Sequence, residues 1–184
     1  SVLSLSFSST VENILARVAG LERVVIGEGR PRFEGRRLAE SLHGRVQRVE
    51  LITDAQLALF AARVDHVVLG ADSICADFSA VNKVGSLAAA LGAEAAGVPC
   101  LVAADSYKLD PAHTAETIPL EEMAADEVWP ERPEACRNIY FEPVPARLIT
   151  AYATEKGVLK AAQLTPELER WRRLHARFHA CSPA

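Results

Sequence analysis

No run of apolar residues in this 184-residue chain approaches the roughly 20 that a membrane helix needs, and the opening VLSLSF lacks the basic flank and length of a signal peptide. These absences predict a cytoplasmic protein. Cys75, Cys100, Cys136 and Cys181 are widely spaced with no C-x-x-C pair, so neither a zinc ribbon nor a disulfide framework is indicated and reduced thiols are expected. His43, His66 and His113 stand at no ligand spacing within the core motifs. His175 and His179 are i, i+4 on one helix but lack further ligands, so neither metal nor cofactor is expected. Charge of one sign is also missing: 20 Lys and Arg face 24 Asp and Glu, a formal balance of −4. That leaves no electrostatic footprint for nucleic acid or an anionic membrane, and points to small ligands or proteins as partners. There is no internal repeat, no low-complexity tract and no initiator Met, the last suggesting a processed or trimmed start.

What is present is enough apolar material, 49% of residues, for one sizeable core, arranged as short apolar runs alternating with helical stretches. Strands are predicted at Val2–Phe7, Arg23–Gly27, Val46–Ile52, His66–Gly70 and Val98–Ala103, and helices near Thr10–Ala19, Phe33–His43, Ala55–Ala62 and Lys83–Ala96. Ser8-Ser9, Asp54 and Asn82 precede helices as caps, and Gly97 follows one. Five such units predict an α/β fold, a three-layer sandwich around a parallel sheet. Beyond Asp105 the pattern weakens. Pro111 to Pro133 reads as an acidic surface excursion or lid, Ile139–Glu142 as a strand, Pro145–Thr154 as a helix ended by Gly157, and Pro166–Ala180 as an amphipathic helix carrying Trp171, Leu174 and Phe178. Residues 1–158 are thus expected to form one Rossmann-type domain, with 159–184 as its C-terminal helical extension.

Ligands of open α/β sheets bind beyond the carboxyl ends of the strands. The run VVLGADSICADFSAVNKVGS puts Asp72 at such an end, with Asn82 and Lys83 shortly after it. In SLSFSST, Ser6, Ser8, Ser9 and Thr10 surround a helix start, whose free N–H groups would suit a phosphate. In GEGRPRFEGR, Arg30 follows a strand as a forked donor for phosphate or carboxylate. Lys108 is expected at the site edge or a dimer surface, and Cys75 as a small buried hydrophobe.

These motifs resemble the family that unites the alpha, beta and delta subunits of eukaryotic initiation factor 2B with methylthioribose-1-phosphate isomerase and ribose-1,5-bisphosphate isomerase. The resemblance rests on SLSFSSTV at Ser4–Val11, GEGRPRFEGRRLA at Gly27–Ala39, ITDAQ at Ile52–Gln56, GADSICAD and AVNKVGS within Gly70–Ser86, GVPCLVAADSYKLDP at Gly97–Pro111 and FEPVP at Phe141–Pro145. It implies a Rossmann-like domain of the ribose-phosphate isomerase and CoA-transferase type, a homodimer, and normally an N-terminal helical domain. It makes Asp72 the acid/base carboxylate, places Asn82 and Lys83 on the sugar, and sets Arg30 near a phosphate. Three positions depart from the isomerases. Ser6 stands where they have a catalytic cysteine, Glu34 where they usually have Gln, and Phe78-Ser79 in place of a turn glycine. An alkanol proton is far less acidic than a thiol without a base beside it. The resemblance therefore implies a noncatalytic initiation-factor-2B-like protein, linked by its family to translation initiation, that keeps a sugar-phosphate or nucleotide pocket and self-associates. An aldose–ketose isomerase of a phosphorylated pentose is the alternative.

Overall fold

The computed structural model describes residues 1–180; Cys181 and the side chains of Phe178 and His179 lie outside the described set. Four strands come first and set the architecture: β1 (Val2–Leu5), β2 (Arg23–Gly27) and β4 (His66–Gly70), largely apolar and buried, and β3 (Arg48–Ile52), an edge strand carrying Arg48 and Glu50. Between them run α1 (Ser9–Leu15), α2 (Glu34–Leu42) and α3 (Leu57–Ala61). A small hairpin, β5 (Ser73–Ile74) and β6 (Ala80–Lys83), leads into α4 (Ser86–Ala96) and β7 (Cys100–Ala103). After the excursion come β8 (Phe141–Val144), β9 (Ala151–Thr154), β10 (Gly157–Leu159) and α5 (Ala161–Ala180). The main sheet has the order β10-β9-β7-β4-β1-β2-β3 and is parallel except for β10, which returns antiparallel on β9. A second sheet, β5-β6-β8, is antiparallel.

Period-2 alternation divides the core into two layers. Val24 and Ile26 face Val11, Leu15, Leu38 and Leu42 of α1 and α2, whereas Leu3, Leu5 and Val25 face Leu57 and Ala61 of α3 and the Ala89, Ala90 and Ala93 stripe of α4. Leu164 and Leu168 seat α5 on that second layer. From β1 the chain proceeds to β2 and β3 on one side, then crosses to β4 and β7 on the other. The switch point between β1 and β4 opens a crevice at their carboxyl ends.

Three expectations are corrected. Lys83 begins no helix: residues 80–83 are strand β6, because Ala80, Val81, Asn82 and Lys83 all turn out to be buried between β5 and β8, and α4 starts only after Gly85 at φ +107°. Asn82 is consequently not a cap. Pro145 starts a single 3-10 turn, and residues 151–154 form β9 beside β7, with Tyr152 buried in the core and Gly157 in the hairpin rather than at a helix end. The strand expected at Ile139–Glu142 lies two residues later and belongs to the small sheet. The amphipathic terminal helix is found, but it begins at Ala161 and includes Pro166.

Gly35 shows how tightly α2 docks. A Cβ there would stand 2.0 Å from the carbonyl oxygen of Gly27, a contact that only backbone movement can relieve. Gly35→Ala is expected to lower stability by about 3 kcal/mol in urea denaturation, as overpacking against backbone does.

Candidate functional site

The crevice at the switch point collects side chains from three strand ends. Beyond β1, Ser6 is buried at φ +61° with its N–H donating to the Gly27 carbonyl at 3.3 Å, and the chain then turns into α1. Ser8 caps that helix, its Oγ accepting from Val11 N–H at 3.4 Å. With only seven residues in α1, the hydroxyls of Ser8, Ser9 and Thr10 matter here more than the helix terminus. Beyond β4, Gly70 allows a close approach: a Cβ would meet Ser8 Cβ at 2.9 Å and Asn82 Oδ1 at 3.5 Å. Asp72 follows, its N–H donating to the Val81 carbonyl at 2.8 Å, so the small sheet fixes its backbone. Beyond β7 come Asp105, whose carboxylate accepts from Tyr107 N–H at 3.0 Å, and Lys108.

Together these residues line a polar cleft of about 300 Å³ walled by Ser8, Ser9, Thr10, Asp72, Asn82, Asp105 and Lys108. Asp72 stands exposed at its mouth. Partial desolvation by the surrounding walls raises its carboxyl above the ordinary value, opposed by the positive charges of Lys108 and Lys83. Asn82 is buried; its Nδ2 donates to Ser86 Oγ at 2.8 Å, and that hydroxyl donates to the Lys83 carbonyl at 2.7 Å. The amide is thereby held in place at the cleft wall.

Ser6, Arg30, Glu34 and Lys83 are not on that wall. Lys83 is buried, with Nζ 3.0 Å from Glu34 Oε1 and 3.8 Å from the centre of the Tyr140 ring. The ammonium is thus held by a carboxylate and a ring face behind the cleft. Glu34 Oε2 is buried with no hydrogen-bond partner among the described residues, and both it and Ser6 Cβ lie 3.3 Å from where a Cβ on Gly29 would stand. Arg30 turns to the excursion and donates to the Val128 carbonyl at 3.0 Å, while Asp54, expected as a helix cap, accepts from the N–H groups of Gly29 and Arg30 at 2.9 and 2.7 Å. The excursion therefore packs on the Arg30 loop, where Glu127 accepts from Arg32 at 2.8 Å, from Asn138 at 3.1 Å and from the Tyr140 hydroxyl.

Two residues given little weight by sequence belong to the cleft. Lys108 reads as edge or solvent, and Asp105 as the end of the regular pattern; each follows β7, so the strand-end rule that locates Asp72 applies equally to them. Cys75 is the buried hydrophobe expected, with burial pushing its thiol up to about 11. Phe78 adopts φ +62° in the hairpin, the conformation that a turn glycine would take without strain, and its carbonyl accepts from the Tyr152 hydroxyl. Among the described residues no group of three or more His, Cys, Asp or Glu stands together as a metal site would require.

Two consequences are measurable. Because the folded state favours protonated Asp72, its carboxyl contributes most to stability below the unfolded value near 4 and loses that contribution as pH rises through the raised folded value. Asp72→Asn should therefore raise the melting temperature at pH 7, with the gain fading as pH falls toward about 4. Glu34→Gln leaves a buried ammonium without its counter-charge. Glu34 is 33% exposed, so the cost should fall below that of a fully enclosed pair, at about 2 kcal/mol by urea denaturation.

Comparison with known proteins follows the same lines. The chain matches the Initiation factor 2 subunit family over residues 1–161. It is 36% identical over 140 residues to ribose 1,5-bisphosphate isomerase of Haloferax volcanii, an alignment covering 72% of this chain and 43% of the relative. It is 38% identical over 149 residues to methylthioribose-1-phosphate isomerase of Maridesulfovibrio salexigens, covering 74% and 43%. The crystal structure of translation initiation factor eIF-2B from Pyrococcus horikoshii superposes with a TM-score of 0.79 at 30% identity, over 88% of this chain and 58% of that one. The chain thus spans about half the length of the relatives it matches. With the switch-point crevice and the motifs in order, these matches establish that the chain belongs to the Initiation factor 2 subunit family, whose members include both eIF-2B-like proteins and sugar-phosphate isomerases.

Proposed function

We propose that this domain binds a phosphorylated sugar or nucleotide in the cleft at the ends of β1, β4 and β7 without converting it, and self-associates as an initiation-factor-2B-like partner in translation. The observation that carries the reading is the setting of Ser6. By the family resemblance Ser6 stands where the isomerases have a cysteine, and none of the hydrogen bonds among the described residues joins its hydroxyl to a base. The cleft nevertheless keeps what a sugar phosphate needs: hydroxyl donors at Ser8, Ser9 and Thr10, a cation at Lys108, and Asp72 with Asn82 for sugar hydroxyls. Exposed Val158 on the edge strand β10 supports self-association at that end of the sheet.

One observation favours a second reading. Glu34 Oε2, buried and unpaired beside Ser6, is a carboxylate that could take the serine proton, and Asp72 could then shuttle a proton between adjacent sugar carbons in an aldose–ketose isomerisation of ribose 1,5-bisphosphate or methylthioribose 1-phosphate.

Thermal-shift measurement with these two sugar phosphates and ribose 5-phosphate separates the readings. A ligand at 100 times its dissociation constant should stabilise the domain by about 2.7 kcal/mol, or roughly 5 °C or more. The shift should vanish in Asp72→Ala, with no product formed. Turnover abolished by Asp72→Asn would establish the isomerase instead, and the absence of any shift would refute a small-molecule site.

A further inference from the structure

Asp72 has a second cleft on its other side. This compartment, about 350 Å³, is bordered by Asp72 and Lys108, which also border the polar cleft, and is walled by Tyr107, Pro111, Trp171 and Leu174. Trp171 and Leu174 come from α5, which begins where the family match ends at residue 161. The two compartments differ in chemistry. One is lined by hydroxyls, an amide, carboxylates and Lys108; the other adds Tyr107, Leu109, Pro111, Trp171 and Leu174, together with Ser73, Asp110 and His175. Tyr107 is 78% exposed yet held edge-on to Trp171, with ring centroids 5.6 Å apart at 63°. An aromatic side chain left that open beside a second ring offers a face on which a planar group can stack.

We propose that α5 supplies a second subsite of the same ligand site, and that the ligand is a phosphorylated pentose carrying a flat aromatic or heteroaromatic substituent. This deepens the reading above and rests on it. The phosphate and sugar occupy the polar cleft, the substituent passes Asp72, and its ring lies against Tyr107 and Trp171. Each compartment alone sits at the low end of the roughly 300–1,000 Å³ typical of small-ligand sites, and a ligand bridging both uses the pair. A plain pentose phosphate leaves the α5 compartment to water. Discrimination between the two ligand types then comes from α5, which lies beyond the residues matched to the family model.

Calorimetric titration of the full chain with ribose 5-phosphate and adenosine 5′-monophosphate tests this, since the probes share the phosphopentose and differ in the ring. The nucleotide should bind about tenfold tighter or better, as stacking on aromatic side chains provides. Both probes should lose binding in Asp72→Ala. Tyr107→Ala, which alters an exposed position and leaves the core intact, and Trp171→Ala should each bring the affinity ratio of the two probes toward one. Equal affinities in the unaltered protein, or a ratio unchanged by both substitutions, overturns the α5 subsite while leaving the phosphopentose reading standing. Failure of both probes to bind overturns the two together.

Discussion

The burial of Lys83 is the constraint on which the site's arrangement depends. An ammonium taken from water costs several kcal/mol unless it is paired, and here the compensation comes from Glu34 at 3.0 Å and the face of Tyr140. Each partner belongs to a different part of the chain. Glu34 opens α2, Tyr140 closes the excursion, and Lys83 ends β6. Pairing them therefore locks the Arg30 loop, the small sheet and the excursion into one body. Tyr140 extends the lock, since its hydroxyl and Arg32 together hold the Glu127 carboxyl below its ordinary range. With β6 fixed, Asn82 and the carbonyl of Val81 have defined positions, and through them so does Asp72.

The same arrangement divides the charged groups into two sets. Lys83 and Glu34 neutralise each other behind the wall, and Arg30 is held by the excursion. Lys108 is left as the cation on the cleft itself, facing Asp72 and Asp105. The resemblance to sugar-phosphate isomerases assigns Lys83 and Arg30 to the ligand. In this chain, with Glu in place of Gln at position 34, the structure assigns them to internal partners. Glu34 and the Tyr140 ring face together engage Lys83.

Much of this was legible in the sequence where one local rule sufficed. Strands β1, β2, β4 and β7 are short apolar runs, and Ser8, Ser9 and Asp72 follow strand ends within three or four residues, so periodicity and the strand-end rule locate them. What the sequence concealed depends on pairing across the chain. AVNK is too short to read as a strand without knowing that it lies between β5 and β8, and ITAYAT lacks the alternation that would separate a buried strand from a helix. For Arg30 nothing in its neighbourhood shows that one of its nitrogens will donate to a carbonyl 98 residues later, which turns the side chain toward the excursion. Lys108 was hidden for the opposite reason, as one lysine at a strand end resembles any solvated lysine until Asp72 is seen across the cleft.

The central claim, that the ends of β1, β4 and β7 form one ligand site, is tested most directly by mapping backbone amide chemical shifts while ribose 5-phosphate is titrated into the labelled protein. The account predicts saturable shifts at Ser8, Ser9, Thr10, Asp72 and Lys108 with a common dissociation constant. Shifts confined to the adjoining apolar groove at Asn13, Val18 and Val158, or absent from Ser8, Ser9, Asp72 and Lys108, would contradict it.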